Sequence, residues 1–110
     1  MNQKEPADLT GEELESAKEE NEVVVADFWA EWCSPCKQME PIMDSLAEEY
    51  GDKAFFAKIN VDKEREAAST YQVSSIPSLL FFKDGELVDR TVGAFPQKEL
   101  GEKIEEIVQK

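Results

Sequence analysis

The run Val23-Val24-Val25-Ala26-Asp27-Phe28-Trp29-Ala30 constrains this chain more than any other stretch. It is apolar at successive positions rather than alternate ones, and it is rich in β-branched residues. That pattern fits a strand buried on both faces. Such a strand needs a layer of structure on each side of its sheet, so the segment predicts an α/β architecture. One charged residue, Asp27, interrupts it. The run leads directly into Glu31-Trp32-Cys33-Ser34-Pro35-Cys36-Lys37, which holds both cysteines of the chain.

Helical spacing takes over after this junction. Cys36, Met39, Met43, Leu46 and Tyr50 recur at three and four residues, with Ile42 beside them, which predicts a helix over about 34–50. Pro41 should kink it, and Gly51 is an end signal. Upstream, Thr10 with Glu13 fits a capping box, and Leu9 with Leu14 fits the apolar staple around it, so a helix is predicted over about 11–20. Downstream, Ala54 to Val61 reads as a second buried strand and Glu64 to Tyr71 as a helical turn or two. Ser78 to Phe82 and Glu86 to Val92 read as strands joined through Lys83-Asp84-Gly85, since Asp-Gly is a strong hairpin signal. Pro96 opens a last helix with Leu100, Ile104, Ile107 and Val108 on one face. Gly101 should weaken that helix by about 1 kcal/mol relative to alanine. Residues 1–8 are polar and read as a frayed, disordered tail before one domain over 9–110. The expected fold is a central mixed sheet of four to five strands flanked by helices.

Composition narrows the partners. Twelve Lys and Arg against 25 Asp and Glu leave a formal net charge of −13. Neutralising nucleic-acid phosphates needs clustered basic residues, so nucleic acid is excluded as a partner. An anionic membrane surface would repel the chain as well. The N-terminus shows no apolar signal-peptide core, and no run approaches the roughly 20 apolar residues that cross a bilayer. A cytoplasmic location is expected, where thiols are mostly kept reduced. A lone C-x-x-C there points to redox chemistry or metal binding rather than to a structural bridge.

The junction itself suggests which. A strand entering a helix across Trp32-Cys33-Ser34-Pro35-Cys36 sets Cys33 at the helix N-terminus. Unpaired N–H groups and the positive end of the dipole favour an anion there, and the thiolate is the reactive form of cysteine. Pro35 suits the first turn because its missing N–H is not needed. Cys36 lies about one turn further in and should be more buried. Cys33 would therefore attack a partner's disulfide and Cys36 would resolve the mixed disulfide. Zinc normally takes four protein ligands; with two Cys and no His, a site in one chain would need two carboxylates. The cysteines could also bridge a cluster between two subunits or form a structural disulfide, though so short a loop gains little from closure.

Asp27 lies six residues before Cys33. Burial among Val, Phe and Trp should raise its pKa by desolvation. With no histidine in the chain, it is the best candidate to accept a proton from Cys36. Lys58 interrupts the neighbouring run Phe55-Phe56-Ala57-Lys58-Ile59 and would face Asp27 if the strands pair. If they do not, both side chains reach solvent at strand ends. The Ile76-Pro77 bond is by default trans, with the proline starting a strand.

Together these residues resemble the thioredoxin family. The likeness spans about residues 9–109. It is carried by A-D-F-W-A-E-W-C-S-P-C-K, Pro41, A-K-I-N-V-D at 57–62, S-I-P-S-L-L-F-F-K-D-G at 75–85 and V-G-A at 92–94. Thioredoxins are themselves the standard instance of an acidic C-x-x-C thiol. The resemblance implies a thioredoxin fold and a protein-disulfide reductase, with Cys33 as nucleophile, Cys36 as resolving thiol, and Asp27 and Lys58 as the buried acid and its partner. It implies a cis bond at Pro77, facing Cys33. Trp32, Ser34, Pro35, Ile76, Gly93 and Ala94 would complete the substrate groove, the Ile76 backbone pairing with an extended segment. The implied partners are a thioredoxin reductase, which supplies the electrons, and oxidised proteins. No cofactor or metal is implied, and the chain should act as a monomer. Oxidase or isomerase relatives often carry histidine between the cysteines. A binding module could also use the same groove without redox chemistry. Two features depart from the family. Ser34 stands where glycine is usual, adding a hydroxyl beside the sulfurs and a modest change of reduction potential. Lys4-Glu5-Pro6-Ala7-Asp8 is a poor first strand, predicted short or absent.

Overall fold

The computed structural model describes residues 5–110. The elements run β1 (Ala7–Asp8), α1 (Gly11–Glu20), β2 (Val23–Trp29), α2 (Ser34–Tyr50), β3 (Phe55–Asn60), α3 (Arg65–Thr70), β4 (Ser78–Lys83), β5 (Glu86–Val92) and α4 (Gln97–Val108). The strands form one mixed sheet in the order β1-β3-β2-β4-β5. β2 lies at its centre, parallel to β3 and antiparallel to β4.

Each face of β2 closes a different core layer, because successive side chains point to opposite sides. Val23 and Val25 pack with Met39, Met43 and Leu46 of α2 and Leu100, Ile104 and Ile107 of α4. Val24, Ala26 and Phe28 pack with Leu14 of α1, Ile59, Leu80 and Phe82. Six of the seven β2 residues are buried, as the continuous apolar run requires.

Local signals become local structure at several points. Thr10 and Glu13 form a reciprocal capping box, with each side chain bonded to the other's backbone N–H. Leu9 packs on the same cluster as Leu14. Asp84 and Gly85 take positive φ values of 52° and 84°, the two left-handed positions of a type I′ turn between β4 and β5. α2 runs over Ser34–Tyr50 with Pro41 inside it, as the spacing predicts. Gly101, an apparent weakness of α4, faces the Tyr50 hydroxyl, which would lie 3.1 Å from an added Cβ.

The first strand is present but short, as the poor sequence predicts. Ala7 and Asp8, expected to belong to the tail, pair with Ala57 and Lys58 of β3, and Pro6 is buried. The ordered structure therefore starts before residue 9. The rest of the expected tail, residues 1–4, lies outside the described residues. Among the described residues, no helix is long and apolar enough to cross a membrane.

Candidate active site

The site forms where β2 ends and α2 begins. Ala30, Cys33 and Cys36 make a small buried cluster, against which Trp29, Val61 and Ile76 pack. Cys33 is the N-cap of α2: its Sγ accepts a hydrogen bond from the Cys36 backbone N–H at 3.2 Å. Ser34 and Pro35 form the first two positions of the helix and are exposed. Cys33 and Cys36 are joined in a disulfide, with their Cα atoms 5.3 Å apart. Cys33 is 4 % exposed and Cys36 2 %. Exposure therefore does not divide the two as expected; the cap position does, since Cys33 alone faces the free N–H groups of the helix end.

Trp32 lies beside the cysteines and is 70 % exposed. Its indole Nε1–H donates to Asp62 Oδ2 at 2.8 Å, and Asp62 is held in turn by its own N–H on Asn60 Oδ1. From the other side, the Ile76–Pro77 bond is cis, against the default for an X-Pro bond and in line with the resemblance. Ile76 reaches the cysteine cluster, Pro77 is buried, and the Pro77 carbonyl accepts from Gly93 N–H at 2.8 Å. That bond ties the start of β4 to the end of β5. Gly93 has φ of +93° with open space around it, and Ala94 and Val92 are exposed. Trp32 and Ile76 thus bring apolar surface to the edge of a buried disulfide.

Asp27 lies below this surface. It is 2 % exposed, and its Oδ1 has no hydrogen-bond partner within the protein. Burial pushes its pKa up to about 7, opposed by the nearby Lys58 charge and reinforced by Glu40. The strand register sets Asp27 directly opposite Lys58, so Asp27 does not reach solvent at a strand end. Lys58 nevertheless makes no ion pair with it among the described residues. Its Nζ sits 4.2 Å from the centre of the Trp29 ring, a cation–π contact. Sequence alone does not single out two of the participants: Glu40, which reads as an ordinary helix-surface carboxylate, and the Lys58–Trp29 contact. Asp62 is visible there only as the last letter of the A-K-I-N-V-D stretch. Among the described residues, no three His, Cys, Asp or Glu side chains are grouped to hold a metal ion.

A cysteine pair at a helix N-terminus, with an apolar rim around it and a buried acid on the strand that feeds the helix, defines a thiol–disulfide oxidoreductase. The family model for Thioredoxin matches residues 5–106. A thioredoxin of Bacillus subtilis is 49% identical over 87 residues, 79% of this chain and 84% of that protein. One of Chlorobaculum thiosulfatiphilum is 43% identical over 86 residues, covering 78% and 80%. The solved structure of a mutant thioredoxin from Halobacterium salinarum NRC-1 superposes with a TM-score of 0.92 at 39% identity, covering 98% of this chain and 95% of that one. The chain belongs to the thioredoxin family, and it is a protein-disulfide oxidoreductase.

Proposed function

We propose that the protein is a reductase of protein disulfides in the cytoplasm, working as a monomer without a bound cofactor or metal. The observation that carries this reading is the Cys33 cap: the sulfur sits on the N-terminus of a 17-residue helix and accepts the Cys36 N–H. That environment stabilises a Cys33 thiolate once the disulfide is reduced. The thiolate attacks one sulfur of a partner's disulfide. A bond forms between Cys33 and that sulfur, and the partner's other sulfur leaves as a thiolate. Asp27, half ionised at about pH 7 and increasingly so above it, then takes the Cys36 thiol proton. The Cys36 thiolate attacks Cys33 Sγ, the Cys33–Cys36 bond forms, and the second partner sulfur departs. Two electrons have moved to the partner. A thioredoxin reductase would return them. Trp32, Ser34, Pro35, Ile76, Gly93 and Ala94 would seat the partner's chain, with the Ile76 backbone as the pairing edge.

The absence of a histidine between the cysteines supports reductase over oxidase or isomerase. The reduced protein should accelerate insulin reduction by dithiothreitol. No gain over dithiothreitol alone would sink the reading. Partner binding that survives Cys33→Ser/Cys36→Ser would instead favour a docking module.

A further inference from the structure

Glu40 stands four residues after Cys36 on α2, so the two side chains share a helix face. α2 is the helix that covers the Val23–Val25 side of the sheet, and Asp27 is the next residue of β2 on that side. Met39, adjacent to Glu40, is buried in that layer, while Glu40 itself is half-buried. The charges that surround Asp27 can be taken element by element. β3 brings Lys58 in register. β4 brings Leu79, which is apolar. α4 contributes buried Leu100, Ile104 and Ile107 to the layer. α2 brings Glu40; its one lysine, Lys37, is exposed. The buried acid therefore has one cation and one second carboxylate for neighbours, and the cation is engaged over the Trp29 ring.

We infer that Glu40 is a positioning residue for proton transfer at Asp27: from the α2 side, its negative charge sets how tightly Asp27 holds its proton. A carboxylate charge near a buried acid disfavours ionisation of that acid. Lys58, its ammonium set over an aromatic face, outweighs Glu40 but offsets burial only in part. The electrostatics agree in order: burial raises Asp27 most, Lys58 lowers it, and Glu40 raises it again. The consequence for catalysis has two sides. Glu40 makes Asp27 a stronger base once ionised, but it keeps more of the protein protonated, and so idle, on the acid side.

This inference rests on the reading of Asp27 as the base for Cys36, so its test has two separate readouts. The first is the carboxyl 13C titration of Asp27 in the oxidised protein. Glu40→Gln should move its midpoint to lower pH, Glu40→Lys should move it further the same way, and Glu40→Asp should hold it near wild type. Unmoved midpoints in both Glu40→Gln and Glu40→Lys would overturn the inference, and both proteins' folding can be checked in the same spectra. The second readout is disulfide-reduction turnover against pH. Glu40→Gln should gain about twofold near pH 6, where the rate follows the ionised fraction, and should lose rate on the alkaline plateau, where only base strength counts. A displaced carboxyl midpoint with an unmoved turnover profile removes Asp27 from catalysis while upholding Glu40's control of its proton.

Discussion

Replacing Asp27 with asparagine should flatten the dependence of stability on pH between about pH 4 and pH 7. Folded Asp27 keeps its proton up to about pH 7, whereas an ordinary aspartate releases it near 3.8. Between those limits the folded protein binds more protons than the unfolded chain, so stability falls as pH rises. Above about 7 the loss is complete and constant; below 3.8 it vanishes. A raised pKa is a penalty on the charged form, and about three units convert to about 4 kcal/mol. That is a large part of the roughly 5–15 kcal/mol that holds a domain folded. The conversion needs no large discount for solvent, since Asp27 is 2 % exposed. Asparagine keeps the shape and never ionises. Its own buried amide adds an offset of about 1–3 kcal/mol that does not vary with pH. The quantity to measure is therefore the difference between variant and wild type at two pH values, on oxidised protein. Urea unfolding followed through Trp29 and Trp32 fluorescence supplies it, and urea leaves surface charges unscreened. The remaining carboxylates are common to both proteins and cancel. The difference should move by about 4 kcal/mol in favour of Asp27→Asn between pH 4 and pH 8. Parallel curves over that range would refute the reasoning, and a gap opening the other way would show that Lys58 outweighs burial.

Three further outcomes follow from the geometry. Cys36→Ser should accumulate mixed disulfides through Cys33 that mass spectrometry detects, while Cys33→Ser should not; the reverse pattern would exchange their roles. Thr10→Ala removes the acceptor for Glu13 N–H and half of the capping box, so chemical denaturation should show a loss of about 1 kcal/mol. Gly101→Ala should destabilise by roughly 1–2 kcal/mol despite alanine's helix propensity, because its Cβ would meet the Tyr50 hydroxyl at 3.1 Å. Adding Tyr50→Phe should recover most of that loss in a double-mutant cycle, since the next atoms lie at 3.5 and 3.7 Å.

Much of this architecture is legible because local and long-range demands coincide. The apolar run of β2, broken only at Asp27, could only be satisfied at the centre of a covered sheet, and that is where it lies. The capping box, the Asp84-Gly85 turn and the periodic face of α4 each rest on neighbours within a few residues. The features that sequence misses need contacts between distant residues. Ala7 and Asp8 have no strand pattern of their own; they are held by β3, and Leu9 N–H continues the ladder to the Lys58 carbonyl at 3.0 Å. Glu40 looks like any exposed helix acid until α2 is laid across Asp27. The register of Asp27 with Lys58 follows from parallel pairing, but where the lysine head comes to rest depends on Trp29, two residues further along β2.

The places where local pattern is broken cluster at one end of β2. A valine would extend the Val23-Val24-Val25 pattern at position 27 and bury without cost; the chain has an acid there with an unpartnered oxygen. Trp29 buries an indole N–H without a partner two residues later, and Trp32 exposes the largest apolar side chain of the surface three residues after that. Scattered over the fold these would read as defects. In the mechanism proposed above each has a use: the acid for a proton, the Trp29 ring for seating the Lys58 ammonium, the exposed indole for a partner chain. Lys58 is the informative case. Drawn fully onto Asp27, it would lower the carboxyl towards its ordinary range and make it a weak base at neutral pH. Held over Trp29 at 4.2 Å, it leaves the acid close to pH 7. The instability at Asp27 and its fitness to accept a proton are thus the same free energy, and a substitution that relieves the first must remove the second.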